Sequence, residues 1–274
     1  MRRPLILLSV VILAVALLVA NVAWWMDSEV LDNDAFVESA VVALNQPTSR
    51  DAIATIVVDR LVEEVRVLVV VDDLLVSVFS RLLGTPQLQD VLVLVSQDLH
   101  QRMVSGETGP IIIDLEPYRE VLLGPVEAIS PELASRVPGS WFRAVEVLEG
   151  GVIPDLSPIA EKGRTAGIAA VAVAVSLIVL IVAVAERWWV RLGAIGTSFF
   201  VAGGLSAMAL SAGAETVVAV NPGTPRAVLV GNLYTELTTS ATKRSLELVI
   251  VGAVLVVAAL VMLAIDVTSR RTAS

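Results

Sequence analysis

Residues 166–185 read AGIAAVAVAVSLIVLIVAVA, a run without a charged side chain. Arg164 precedes the run, and Glu186 and Arg187 follow it. At about 1.5 Å of rise per residue, a helix of this length crosses the roughly 30 Å hydrocarbon core of a bilayer. The run therefore predicts a transmembrane helix. A long charged region lies before it and two further apolar runs lie after it, which predicts a polar domain attached to a membrane bundle.

Three other apolar runs are long enough to span a bilayer: Pro4–Met26, Leu192–Ala214 and Leu248–Ile265. The first could instead be a cleaved signal peptide, whose apolar core is usually about 7–15 residues long. This run is longer, and Asn21, two positions before Ala23, makes a poor cleavage site. We therefore expect residues 1–26 to be a retained transmembrane anchor, and the chain to have four spans.

The charge is unevenly distributed along the chain, whose formal net charge is -9. Residues 27–164 hold 23 of the 28 acidic residues but only 10 of the 19 lysines and arginines. Such an acidic region repels nucleic acid and anionic lipid headgroups, so neither is an expected partner of this region. The chain has no cysteine, which excludes disulfides and thiolate metal sites.

Residues 27–163 have the pattern of a folded, mostly helical domain. Asp32, Asn33 and Asp34 are suited to cap a helix whose apolar residues, from Phe36 to Leu44, recur at helical spacing. Ser49 is suited to cap the next helix. Two short apolar runs are candidate strands, Ile111–Ile113 and Val145–Leu148.

The predicted fold is a mainly α membrane protein. It has four transmembrane helices and a mostly helical extracytoplasmic domain over residues 27–163, with one short two-stranded β element. Residues 164–274 form a three-span bundle with an external hairpin near residues 215–245, in which the pattern predicts a helix over 226–239. Ser157-Pro158 is suited to start a helix that runs uninterrupted into the second span.

The orientation follows from the arginines that flank the spans. The proposed inner set consists of Arg2, Arg3, Arg187, Arg191, Arg270 and Arg271. The basic residues on the opposite side are Lys162, Arg164, Arg226, Lys243 and Arg244. We therefore predict a multi-pass cell-membrane protein with both termini cytoplasmic and residues 27–163 outside.

The chain has one histidine, His100, and so lacks the partner histidines of a metal site or a His-dependent catalytic system. It stands between Leu99 and Gln101 on a polar flank of a predicted helix. The pattern predicts a solvated surface residue.

Paired carboxylates occur at Glu63-Glu64, at Asp72-Asp73 and as Asp114 with Glu116. Two carboxyl groups roughly 5–10 Å apart could hydrolyse glycosides. In so acidic a domain, neighbouring acids are expected as solvated faces or helix caps. The sequence thus predicts no catalytic, cofactor-binding or metal-binding residue.

The predicted spans have their ionisable residues, among them Glu215 and Glu247, near the span ends. The absence of a charge at mid-span argues against an ion pump or coupled transporter. Small residues that permit close helix packing occur at Gly163 and Gly167 and at Gly203-Gly204. They favour packing within the bundle over a dimer interface; the oligomeric state is left open.

Several stretches carry a resemblance to a known group: Asp34-Ala35-Phe36-Val37, Asp51–Arg60 after Pro47, Val71-Asp72, Ile113-Asp114-Leu115 and the final spans. The chain resembles uncharacterised integral membrane proteins common in actinobacteria and found in some archaea. These have an N-terminal anchor, a helical extracytoplasmic domain and three further spans. The resemblance implies this topology, and no activity or catalytic residue.

Two functional hypotheses follow. The first is a non-enzymatic integral membrane protein whose acidic extracytoplasmic domain binds a partner or senses the cell envelope. Its partners would be the lipid bilayer and an envelope or membrane protein, and it would need no cofactor. The alternative is an envelope hydrolase that uses carboxylates of the outer domain.

Overall fold

The protein is described by a computed structural model that covers residues 2–107, 111–143, 145–148, 156–219 and 223–272. The helices in chain order are α1 (Arg2–Trp25), α2 (Asn33–Leu44), α3 (Pro47–Glu64), α4 (Asp72–Leu83), α5 (Pro86–Ser105), α6 (Arg119–Ile129), α7 (Pro131–Ala134), α8 (Ser140–Arg143), α9 (Ser157–Val184), α10 (Trp188–Ala219) and α11 (Pro225–Thr272). A π-helical turn (Met26–Val30) follows α1, and short 3₁₀ turns occupy Arg66–Val71 and Glu116–Tyr118. Strands β1 (Ile111–Ile113) and β2 (Val145–Leu148) pair antiparallel, with Ile113 opposite Val145.

Within the described residues, four helical stretches are long and apolar enough to cross a membrane: Pro4–Val30, Lys162–Val184, Trp188–Thr216 and Pro225–Arg271. Each overlaps one of the four predicted spans, and the second ends one residue before the end of its predicted span. The chain is therefore a mainly α-helical, multi-pass membrane protein. Few side chains of these stretches are buried within the chain, as expected for helices whose outer faces contact lipid.

The last helix is longer than the sequence pattern indicated. The sequence predicted a helix over 226–239 and a separate final span, whereas α11 is one helix of 48 residues. The polar stretch between these two predicted segments contains no proline. Since nothing there removes a backbone donor or clashes with the preceding turn, the helix continues through it. Helix α9 begins at Ser157 and runs without interruption to Val184, as predicted.

The contacts divide the chain into two compact units. The first, here called the membrane unit, comprises Met1–Ser28, Ile159–Gly213 and Thr238–Ser274. The second, here called the polar unit, comprises Glu29–Pro158 and Ala214–Leu237. The boundaries expected at residues 27 and 163 refer to the membrane surfaces, and they stay predictions.

The polar unit has an apolar core supplied mainly by α3, α4, α5 and α6. Its largest fully buried side chains include Leu61, Leu68, Leu75, Val126 and Phe142. Caps were predicted from the sequence for two helices of this unit, α2 and α3, and only α2 begins with a predicted cap. The Asp32 side chain accepts a hydrogen bond from Ala35 N at 2.9 Å, so Asp32 is the one of the three candidate residues that caps α2.

Ser49 does not cap α3, contrary to the sequence prediction. Gln46 stands at the cap and Pro47 takes the first helical position, which leaves Ser49 inside the first turn. Ser49 is fully buried, and its Oγ accepts a hydrogen bond of 2.8 Å from Asn232 Nδ2. The same amide nitrogen lies 2.9 Å from Thr48 Oγ1. Asn232 thereby ties the first part of α11 to the start of α3 within the polar unit.

Polar side chains connect three helices of the membrane unit. Ser198 Oγ, on α10, lies 3.1 Å from Val10 O of α1 and 3.0 Å from Ala194 O of its own helix, so its one hydrogen is shared between the two carbonyl oxygens. Asn21 Nδ2, on α1, donates to Ser245 Oγ of α11 at 3.1 Å. Such bonds matter in a bilayer because no water competes for these groups.

Helices α10 and α11 approach each other so closely that glycine is required at the contact. A Cβ added at Gly203 would lie 2.5 Å from Ser245 O and 2.8 Å from Val249 N. A Cβ at Gly196 would lie 2.9 Å from Gly252 O. These neighbours are backbone atoms, which cannot rotate away as a side chain can. The small residues on each helix stand seven positions apart, a spacing typical of helices that coil around each other.

Only two of the four glycines that were predicted to serve helix packing lie at a helix contact. A Cβ at Gly167 would lie 2.8 Å from Ala23 Cβ, so Gly167 sits against α1, whereas one at Gly163 would meet nothing within 4 Å. Gly203 faces α11, and its neighbour Gly204 has nothing within 4 Å of an added Cβ. Gly167 and Gly203 therefore serve packing inside the membrane unit.

The two adjacent glycines of α10 provide a matched test. Gly203→Ala should destabilise the protein by about 1–3 kcal/mol, because overpacking a close helix contact forces the helices apart. Gly204→Ala should be neutral or stabilising by up to about 1 kcal/mol, because alanine favours the helix. Unfolding of both variants in a mixed-micelle denaturant titration, followed by circular dichroism, measures the difference. Equal stability of the two variants would contradict the close contact.

Candidate functional site

His100 is buried, contrary to the prediction of a solvated surface residue: its exposed fraction is 6%. Its Nε2 lies 3.1 Å from Val30 O. Its ring lies against Phe36, with the ring centroids 5.0 Å apart and the planes inclined at 40°. Helix α2 and the turn before it thus cover the flank of α5 that the sequence pattern assigned to solvent.

The hydrophobic pattern of α5 does not reveal the burial of His100. The apolar residues Leu99 and Met103 suggested that the inner face includes them. The buried residues of α5 are instead Leu88, Val91, Leu92, Ser96 and His100. A spacing of four positions from Leu88 to His100 marks this stripe, and its second half is polar, so hydrophobicity alone does not reveal it.

The contact with Val30 shows which ring nitrogen of His100 carries a hydrogen. A carbonyl oxygen only accepts hydrogen bonds, so His100 Nε2 carries a hydrogen and donates it. In the neutral ring Nδ1 is then the acceptor. The hydrogen bond to Val30 holds one side of the ring, and Phe36 contacts the other side. These two contacts fix the orientation of the His100 side chain.

An open pocket of about 500 Å³ adjoins the histidine in the polar unit. Its lining residues are Asn33, Gln97, His100, Gln101, Val104 and Ser105. They offer three amides, a hydroxyl and an imidazole, and no carboxylate, lysine or arginine. The pocket can therefore donate and accept hydrogen bonds, while it lacks the paired carboxyl groups that glycoside hydrolysis requires.

Two of the paired carboxylates accept hydrogen bonds from neighbouring backbone amides, and Glu116 Oε1 lies 3.6 Å from a guanidinium nitrogen of Arg119. Asp72 Oδ1 accepts from Asp73 N at 2.7 Å, and Asp114 Oδ1 accepts from Glu116 N at 2.9 Å. Glu63 is exposed, and the side chain of Glu64 lies outside the described part. Across the described residues, no group of three His, Asp or Glu side chains could hold a metal ion.

No family model matches the chain, and comparisons with curated proteins and with solved structures give no match. The resemblance to four-span proteins of actinobacteria and archaea therefore stays a prediction. The geometry of the site itself has to carry any functional proposal.

Replacing the histidine should loosen the start of the polar unit. In His100→Leu the buried oxygen of Val30 loses its donor, which costs about 1–3 kcal/mol. We expect faster hydrogen–deuterium exchange in peptides covering residues 26–36. Gln101→Leu, at an exposed neighbour on the same helix, is the control and should leave this exchange unchanged. Identical exchange in the two variants would show that the His100–Val30 bond does not hold the segment.

Proposed function

We propose that the protein is a non-enzymatic integral membrane protein whose acidic extracytoplasmic domain binds a partner or senses the cell envelope. The observation that carries the proposal is the amide-lined pocket beside His100. Its residues offer hydrogen bonds in several directions, and none of those that line it is a carboxylate. Such a lining suits recognition of a polar ligand better than bond cleavage.

The chemistry of the lining also restricts the ligand. Amides and hydroxyls bind neutral groups that present hydroxyls or amides, as envelope glycans and peptide segments do. An anionic ligand would meet the repulsion of the acidic residues concentrated in residues 27–164. A neutral polar envelope component is therefore the ligand class that we assign.

We place residues 27–163 outside because arginines are more frequent in the span-flanking segments on the opposite side of the membrane. In the membrane unit, Arg187, between α9 and α10, lies 3.3 Å from Asp266 near the end of α11. The two arginine-bearing segments are thus at one end of the bundle, which supports placing them together in the cytoplasm. With four spans, both termini are then cytoplasmic, and residues 27–163, with the short β element, lie outside.

The envelope hydrolase is the less supported alternative. It needs two carboxyl groups on opposite sides of a scissile bond, roughly 5–10 Å apart. Asp72 and Asp114 accept hydrogen bonds from neighbouring backbone amides, and neither lines the pocket. No observation on the described residues favours this reading over binding.

One labelling experiment tests both the placement and the binding. The chain has no cysteine, so single cysteines can be introduced at Gln101, Gln87 and Ser274 and labelled with a membrane-impermeant maleimide. Gln101 lines the pocket, whereas Gln87 is equally exposed about 21 Å away along α5. In intact native cells we expect rapid labelling of Gln87→Cys and no labelling of Ser274→Cys until the membrane is permeabilised. Gln101→Cys should label several-fold more slowly in cells than in the purified protein, because the ligand covers it.

Different results would contradict the placement of residues 27–163 outside and the binding of a ligand in the pocket. Labelling of Ser274→Cys in intact cells, or protection of Gln87→Cys, would contradict the placement. Equal labelling rates of Gln101→Cys in cells and in the purified protein, with Gln87→Cys behaving as expected, would show that the pocket has no occupant there.

A further inference from the structure

The turn between α9 and α10 stacks arginines on tryptophans. The guanidinium carbon of Arg191 lies 4.6 Å from the ring centroid of Trp188. That of Arg187 lies 5.8 Å from the ring centroid of Trp189. Arg191 Nε also donates to Ala185 O at 2.7 Å, which fixes the arginine beside the end of α9. Stacked in this way, both guanidinium groups are held in place at a membrane end, where tryptophan is favoured.

The end of α11 adds a third arginine to the same place. Asp266 Oδ2 accepts from Arg187 at 3.3 Å and from Arg270 at 3.0 Å. One carboxylate therefore faces two guanidinium groups, while Arg191 contributes a third positive charge. Glu186 and Arg271, both exposed, add one charge of each sign. A positive excess remains.

Arg187, Arg270 and Trp188 are exposed, and they border apolar surface. The side chains of Arg187 and Arg270 are 47% and 58% exposed, and Trp188 is 64% exposed. Val182 on α9 and Ile265 on α11 are large exposed apolar residues within one or two helical turns of the charged groups. A ligand that fits both features has an anionic head and an apolar tail.

We propose that this arginine–tryptophan cluster, formed by Arg187, Trp188, Trp189, Arg191, Asp266 and Arg270, binds the phosphate of an anionic phospholipid. The guanidinium groups supply charge-assisted hydrogen bonds to the phosphate oxygens. The acyl chains lie along the exposed apolar faces of α9 and α11. The charge excess selects an anionic over a zwitterionic headgroup, and the adjoining apolar faces select a lipid over a free phosphate ion. The proposal does not depend on the orientation of the chain.

The test measures lipid selectivity of the full chain in vesicles of phosphatidylcholine. Electron spin resonance of spin-labelled phosphatidylglycerol and phosphatidylcholine gives the relative affinity of the two lipids for the protein surface. We expect a preference of about five-fold for phosphatidylglycerol, the factor contributed by roughly one arginine near a charged surface. In Arg187→Gln/Arg191→Gln the ratio should fall clearly below the wild-type value, and it should fall by less in Arg164→Gln, which removes one arginine at the other end of α9.

Asp266→Asn separates lipid binding from a structural effect. This variant breaks the same ion pair as a change at Arg187, but it raises the positive excess. We expect its preference for phosphatidylglycerol to exceed that of the wild type. An unchanged or lower preference would overturn the proposal, and this holds even if the double arginine variant does not fold.

Two further outcomes would also overturn the assignment. One is a wild-type protein that binds both spin-labelled lipids equally. The other is loss of the preference in excess inorganic phosphate but not in sodium chloride of equal ionic strength, since the cluster would then be a site for the free ion.

Discussion

The close approach of α10 and α11 is the contact on which the membrane unit depends. Between lipid-exposed helices there is no hydrophobic driving force, so packing and interhelical hydrogen bonds have to hold them together. Gly203 lies against the backbone at Ser245, and Ser245 in turn accepts a hydrogen bond from Asn21 of α1. The hydroxyl of Ser198 on α10 contacts the carbonyl oxygen of Val10 on α1. The three helices thus form a closed set of contacts, which a larger side chain at Gly203 would open.

The remaining span, α9, packs against these three helices through similar contacts. Gly167 of α9 lies against Ala23 of α1, again through small side chains. Arg187 follows α9 directly and pairs with Asp266 of α11 at the end of the bundle. Small residues therefore set the distances between spans in the interior, while arginines, tryptophans and one carboxylate fix the helix ends. This division follows from the cost of placing charge at the centre of a bilayer.

Hydropathy predicts the four spans because each needs only a long apolar run, and local chemistry predicts Asp32 as a cap. The contacts between elements could not be predicted in the same way. Gly203 and Gly204 are adjacent and chemically identical, and only the position of α11 distinguishes them. The burial of His100 depends on α2 and on the turn before it, which lie far away in sequence. For the same reason the pocket, which combines Asn33 of α2 with residues of α5, was not foreseen.

The measurement that tests this account most directly is a disulfide between α10 and α11. A Cβ at Gly193 would lie 3.5 Å from Ala259 Cβ, within the range that a disulfide requires. In this cysteine-free chain, Gly193→Cys/Ala259→Cys should form an intramolecular disulfide nearly completely under mild oxidation in lipid, as shown by mass spectrometry of the linked peptides. Gly204→Cys/Ala259→Cys should remain reduced. Failure of the first pair to cross-link, or equal cross-linking of both pairs, would contradict the packing of α10 against α11.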